Sequence, residues 1–362
     1  MADNLLWKPD WDVARRNLLR WWQGEGLALH LTVRRAAPRP DVAARPVEPT
    51  DCEAWWTDPV YRCNRAEWRM ANVDFWAEAF PYFDTQIGPG SLGAFLGARL
   101  EFDWETVWYW PIIDDPADYG AIRFEPERSR WFAAHMALIE EGLRRSQGRY
   151  LVGVPDLIEN LDTLAALRGD TPLLFDLIDR PCWVLERLAE INTAYFEAFD
   201  MIYERVKDAE GGNAFCAFQI WGPGKTAKLQ CDISANLSPE MFRRFVQPYL
   251  VAQCERLDFS LYHLDGTNAL QQVEPLLEIP RLNGIEWTPQ AGRPGGGDPC
   301  WYDLYRRIRR GGKSVQAVGV QPNEVIPLID AVGPEGLYII LSGAVDAHTA
   351  EALMRGIEPY RG

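Results

Sequence analysis

The chain has no C-x-x-C pair, no G-x-S-x-G turn and no apolar run long enough to span a bilayer, although it holds 362 residues and is 47% hydrophobic. Its seven cysteines (Cys52, Cys63, Cys182, Cys216, Cys231, Cys254 and Cys300) are odd in number and scattered. That excludes a disulfide framework and a zinc knuckle, and it fits reduced thiols in a cytoplasmic protein. The missing G-x-S-x-G excludes the serine-hydrolase elbow. Basic residues are also in deficit: 37 against 52 acidic, for a net charge of −15. Such a surface repels phosphate backbones and anionic lipid, so neither nucleic acid nor a membrane is an expected partner. The first residues, MADNLLWKPDWDVARR, carry acids and no long apolar stretch, unlike a signal peptide or an anchor.

Tryptophan is abundant, at 16 residues. Indole offers flat apolar area and one N–H donor. An excess suits either a Trp-rich core or a pocket for ring-shaped or sugar-like ligands. Trp108, Trp110, Trp221 and Trp287 are the candidates for such a pocket.

Helical and strand patterns alternate along the chain. Residues 10–24 read as a helix, 27–33 as a strand, and 59–80 as a helix. Between them, Pro38, Pro40, Pro46 and Pro49 mark a wrapping loop. From residue 126 the rhythm is regular, with strands at 150–157, 214–221, 259–265, 282–287, 314–320 and 337–342, each followed by a helix. Ser238-Pro239-Glu240 is a helix start, with serine as cap and proline in the first turn. Short apolar strands alternating with helices predict a parallel sheet covered by helices. The expectation is a (β/α)8 TIM barrel in residues 81–362, with residues 1–80 as a helical extension packed on one end. A doubly wound open sheet is the alternative.

Two glycine motifs are set aside. Gly88-Pro-Gly90-Ser-Leu-Gly93 matches a dinucleotide fingerprint, but Pro89 is awkward in that turn. Gly222-Pro-Gly-Lys225-Thr226 resembles the end of a phosphate loop, yet Gln219 stands where its first glycine is required.

The promising cluster is Tyr262-His263-Leu264-Asp265-Gly266, at the end of a predicted strand. Alternation puts His263 and Asp265 on one face. The next strand ends in Gly284-Ile285-Glu286-Trp287, and consecutive barrel strands are neighbours. His263, Asp265 and Glu286 should therefore meet at the C-terminal rim, where barrel active sites lie. One imidazole and two carboxylates can hold a divalent metal. Without a metal the two acids would split their pKa values and become an acid/base pair, with Asp265 and Glu286 catalytic. A satisfied buried network is the structural alternative. Trp221, Asp232, Tyr262, Trp287 and Gln316 are the rim positions expected to bind substrate. His30, His135 and His348 read as structural or solvent-facing.

The segments FPYFDTQIGPGSLGAFLGARLEF (80–102), CDISANLSPEMFRRFVQPYL (231–250), YHLDGTNALQQVEPLLEIPRLNGIEW (262–287) and GLYIILSGAVDAHTAEAL (336–353) make the chain resemble the uroporphyrinogen decarboxylase-like superfamily, across roughly residues 60–358. That resemblance implies a (β/α)8 barrel. In its methyltransferase branch, H-x-C, a Glu and a late Cys bind zinc, which activates a thiol as methyl acceptor. Cobalamin-independent methionine synthase is a more distant relative of the same kind. Here His263 matches the His and Glu286 the Glu. Asp265 stands at the first Cys, and Ser342–Ala344 contains none. The branch implies a divalent metal, zinc in the family, and a corrinoid as methyl donor. The decarboxylase branch is metal-free and uses an Arg-rich N-terminal segment with a catalytic Asp; Arg34-Arg35 follow the first strand here.

The leading functional expectation is metal-dependent methyl transfer on a small molecule at the barrel mouth. A glycoside hydrolase using Asp265 and Glu286 is the second. A decarboxylase of the same superfamily and a non-catalytic ligand-binding barrel complete the set. The partners expected are a small-molecule substrate, a corrinoid protein and a second copy of the chain.

Overall fold

Seven strands form the central sheet of the computed structural model, which describes residues 5–361. Their order across the sheet is Val73–Ala77, Leu27–Arg34, Leu337–Leu341, Ser314–Val320, Gly284–Thr288, Phe259–Asp265 and Thr226–Gln230. All neighbours are parallel except Val73–Ala77, which runs antiparallel to Leu27–Arg34. The fold is therefore α/β with a mostly parallel sheet, and its strands are buried along most of their length, as helix-covered parallel strands must be. Among the described residues, strand hydrogen bonding does not close into a ring of eight.

Residues 1–80 were expected to be a helical extension, yet this segment supplies two strands of the sheet. Leu27 pairs with Leu337 and His30 with Ile340, so the sheet crosses the boundary placed at residue 80. The helix expected over 59–80 stops at Ala71, and Val73–Ala77 turns back as an edge strand. Asn72 at the helix end bonds the Trp68 carbonyl through its amide, which breaks the helical run.

The helix Trp11–Trp22 does pack on one end of the sheet. Its apolar stripe buries Trp11, Ala14, Leu18, Trp21 and Trp22. The Trp21 indole N–H donates to the Val315 carbonyl (3.1 Å), and the Ser314 hydroxyl donates to the Trp21 carbonyl (2.6 Å), at the start of the Ser314–Val320 strand. The end opposite this plug is where the strands deliver their last residues. Ser238 caps the Pro239–Phe245 helix as its sequence requires, accepting from the Met241 N–H.

The 214–221 stretch is a tight hairpin. Asn213–Phe215 and Ile220–Gly222 pair antiparallel around a short 3-10 turn, with Gln219 in the left-handed region at φ 49°. The strand Thr226–Gln230 that follows is buried throughout although it reads TAKLQ, so no apolar pattern announces it. No helix among the described residues is long and apolar enough to cross a membrane.

Candidate functional site

Register sets the site. Gln230, His263, Glu286, Gln316 and Tyr338 are successive cross-strand partners, one on each of five adjacent strands. Partners in a parallel sheet point to the same face, so these side chains form one polar row. Two residues further along, Asp265 pairs with Thr288 on that same face.

Glu286 sits in the middle of the row and is fully buried. One carboxylate oxygen is hydrogen-bonded to His263 Nδ1, and the other accepts from the Thr288 hydroxyl at 2.6 Å. Burial alone would lower the His263 pKa, but the adjacent Glu286 charge and hydrogen bond outweigh it and raise it. Phe218 packs against the ring at 4.9 Å. With Nδ1 held by Glu286, Nε2 is the free nitrogen of His263.

His263 belongs to a cluster other than the predicted one. Asp232, His263 and Asp265 each offer an atom within 4.8 Å of the others. Glu286, expected to bind metal beside His263 and Asp265, instead lies behind the imidazole and orients it. Asp232, expected to touch substrate, takes the place of the second acid. The physical reason is reach: Glu286 is two positions short of the strand end that carries Asp265, and its oxygens are spent inside the sheet.

Asp232 is fixed by its neighbours. The Asp232 and Ile233 backbone N–H groups donate to the Asp162 carboxylate at 2.7 and 2.9 Å. The Gln230 amide donates to the Asp232 carboxylate at 2.8 Å. Although the residue is exposed, loss of water around its carboxyl and then the nearby Asp162 charge push it to about 7. Buried Lys228 counters this negative charge: its ammonium pairs with Asp156 at 2.6 Å and also bonds the Gln230 side chain.

Glu159 stands behind Gln230. One of its oxygens accepts from the Gln230 backbone N–H at 2.7 Å, and the other is buried without a partner. Burial pushes its pKa up to about 8. The flanking residues Ile158 and Asn160 have φ of 45° and 58°. A β-branched residue there is strained, at about 1–3 kcal/mol. That strain turns Glu159 into the interior, and a paired amide bridge from Asn160 to Gln253 locks the turn.

The other predicted rim residues fall elsewhere. Gln316 is in the row but fully buried, donating to the Phe218 carbonyl at 2.9 Å. Tyr262 alternates away from His263 and is buried. Trp287 is also buried, with its ring on Trp301 at 5.0 Å. Trp221 packs edge-on to Trp11 and donates to Asp208, on the underside near the N-terminal helix. These three serve packing. Of the tryptophans proposed for a pocket, Trp110 lines one: with Tyr109, Asp162 and Asp232 it walls a cleft of about 680 Å³. His135 is structural as expected, bonded to the Ser91 hydroxyl and the Trp131 carbonyl. The Gly88–Gly93 motif is a turn into a five-residue helix, with Gly88 and Gly90 at positive φ.

Sequence reading missed Asp162, Lys228, Gln230 and Thr288. Only Thr288 carried a signal, since it follows Glu286 by two on the same strand. No protein-family model matches the chain, and no curated protein matches it.

Proposed function

We propose that the protein is a uroporphyrinogen decarboxylase-like barrel enzyme that binds a divalent metal through Asp232, His263 and Asp265 and transfers a methyl group to a small-molecule acceptor. The observation that carries this reading is the convergence of three ligand atoms within 4.8 Å. One imidazole nitrogen and two carboxylate oxygens suit zinc, manganese or iron(II). The buried Glu286 behind the imidazole is the outer partner that metal-bound histidines commonly have. Barrel closure has support beyond the sheet. Tyr82–Phe83 pairs in parallel with Leu151–Val152, Val154 bridges to Phe215, and the Asn213 amide clamps the Thr226 backbone.

A bound cation would supply Lewis acidity, favouring the deprotonated form of a thiol acceptor. The chain's own residues do the rest. Glu286 holds His263 in one ring orientation, Asp162 and Gln230 aim Asp232, and Asp265 has a second oxygen that can take the acceptor's proton. Methyl transfer breaks the donor–carbon bond with its pair left on the donor, and forms the new bond from the acceptor's pair. The cleft beside Asp232 has room for a small methylated substrate, and a corrinoid protein is the donor partner that the family resemblance suggests. The glycosidase reading fares worse, because buried Glu286 has both oxygens occupied.

Elemental analysis of the purified protein, before and after chelation, tests the proposal together with methylcobalamin demethylation in the presence of a thiol. We expect close to one divalent ion per chain, activity lost on chelation, and at least tenfold weaker metal binding in Asp232→Asn and Asp265→Asn. Metal-free protein whose activity ignores the chelator would overturn it.

A further inference from the structure

A second cavity, of about 480 Å³, lies between the helix Pro59–Ala71 and the strands Leu27–Arg34 and Tyr82–Phe83. Its lining shares no residue with the cleft beside Asp232. We propose that it is a binding site for a small flat organic acid, held by its single carboxylate on Arg65 and Arg69.

The two guanidiniums stand four residues apart on one helix and both line the cavity. Like charges at that spacing repel. Loss of water and then repulsion from Arg69 lower the pKa of Arg65. The one acid between them in the sequence, Glu67, is engaged by Arg149 and Tyr150. Neither guanidinium forms a hydrogen bond or ion pair among the described residues; that of Arg65 lies over the Trp55 ring at 4.0 Å. Glu48, which shares a smaller neighbouring cavity with Arg65 and Arg69, is already paired with Arg45. An incoming carboxylate would relieve the repulsion and match the planar fork of either guanidinium.

The third arginine of the face, Arg62, differs. It is buried and spends its N–H groups on the Trp56, Asp84 and Gln86 carbonyls, so it builds the wall and leaves binding to the other two. Trp56, Phe75, Tyr82 and Phe83 add aromatic surface to the lining, which favours a flat ring over a flexible chain.

Two further groups set the remaining contacts. His30 lines the cavity with a buried Nε2 that has no partner. Burial holds its ring neutral, with a pKa lowered to about 4, so it offers a hydrogen bond without charge. A buried polar atom left unpaired is costly, and a hydroxyl on the ligand would satisfy it. Asp84 also faces the cavity and would repel a second carboxylate, which selects a monoacid over a diacid.

The test is isothermal titration of the intact protein with 4-hydroxybenzoate, 4-hydroxybenzamide and terephthalate. We expect the monoacid to bind, and the amide and the diacid to bind at least about tenfold more weakly. Arg69→Met, at an exposed position, should weaken the monoacid at least about tenfold with an unchanged thermal unfolding midpoint, while Arg99→Met leaves binding unchanged. Chelator should have no effect, which separates this site from the proposed metal centre. Equal binding of acid and amide, an unaffected Arg69→Met variant, or no binding up to about 10 mM would overturn the proposal.

Discussion

Replacing Glu159 by Gln tests whether a carboxyl is held in the interior beneath the site. The side chain is fully buried, with one oxygen bonded to the Gln230 N–H and the other unpaired. Its pKa rises from 4.5 to about 8, first because burial removes water from the charged form. Between those values the folded protein keeps a proton that the unfolded chain has released. Stability therefore falls as pH rises through this window. At 1.36 kcal/mol per unit, the wild type loses roughly 3 to 4 kcal/mol between about pH 5 and pH 8 through this one group. Glutamine keeps the acceptor for Gln230 N–H and cannot ionise. Urea unfolding of both proteins at several pH values, with chelator present to remove metal linkage, reads the difference directly. The Glu159→Gln variant should match the wild type near pH 5 and exceed it by several kcal/mol near pH 8. Parallel pH profiles, or a variant that is weaker at pH 8, would refute the account.

Glu286→Gln should leave the fold intact through the Thr288 bond but lower metal affinity about 10- to 100-fold, since the imidazole loses its charged partner; a competition titration with a chromophoric chelator checks this. Gly153→Ala should cost about 1–3 kcal/mol, because the added methyl runs into the Cys216 sulfur, and Cys216→Ala in the same chain should recover part of that loss in thermal unfolding.

Much of the site was legible because the strand period is simple. The pattern H-x-D at the end of one strand and G-I-E-W at the end of the next put His263, Asp265 and Glu286 on a common face, and the register agrees. Periodicity could not say which acid reaches outward. That depends on depth along the strand and on whether hydrogen-bond partners lie inside the sheet, both of which are tertiary facts. The strand Thr226–Gln230 escaped detection for a related reason. Its buried Lys228 and Gln230 are satisfied by Asp156 and Asp232, which lie far away or beyond a turn, so its interior character leaves no apolar trace. The strand at Val73–Ala77 was hidden inside a helical pattern that continues through it. The tryptophans show a limit of composition: Trp11, Trp21, Trp22 and Trp287 build the core, while Trp108 and Trp110 alternate outward from one short strand.

The pairing of Leu27–Arg34 with Leu337–Leu341 joins segments from near opposite ends of the chain. During synthesis the early strand waits with one flank bare until almost everything else has emerged. The Trp11–Trp22 helix can shield its side chains in that interval, but its backbone donors stay open to another nascent copy. A variant that delays the late strand should therefore be recovered as aggregate even when the finished protein is as stable as the parent.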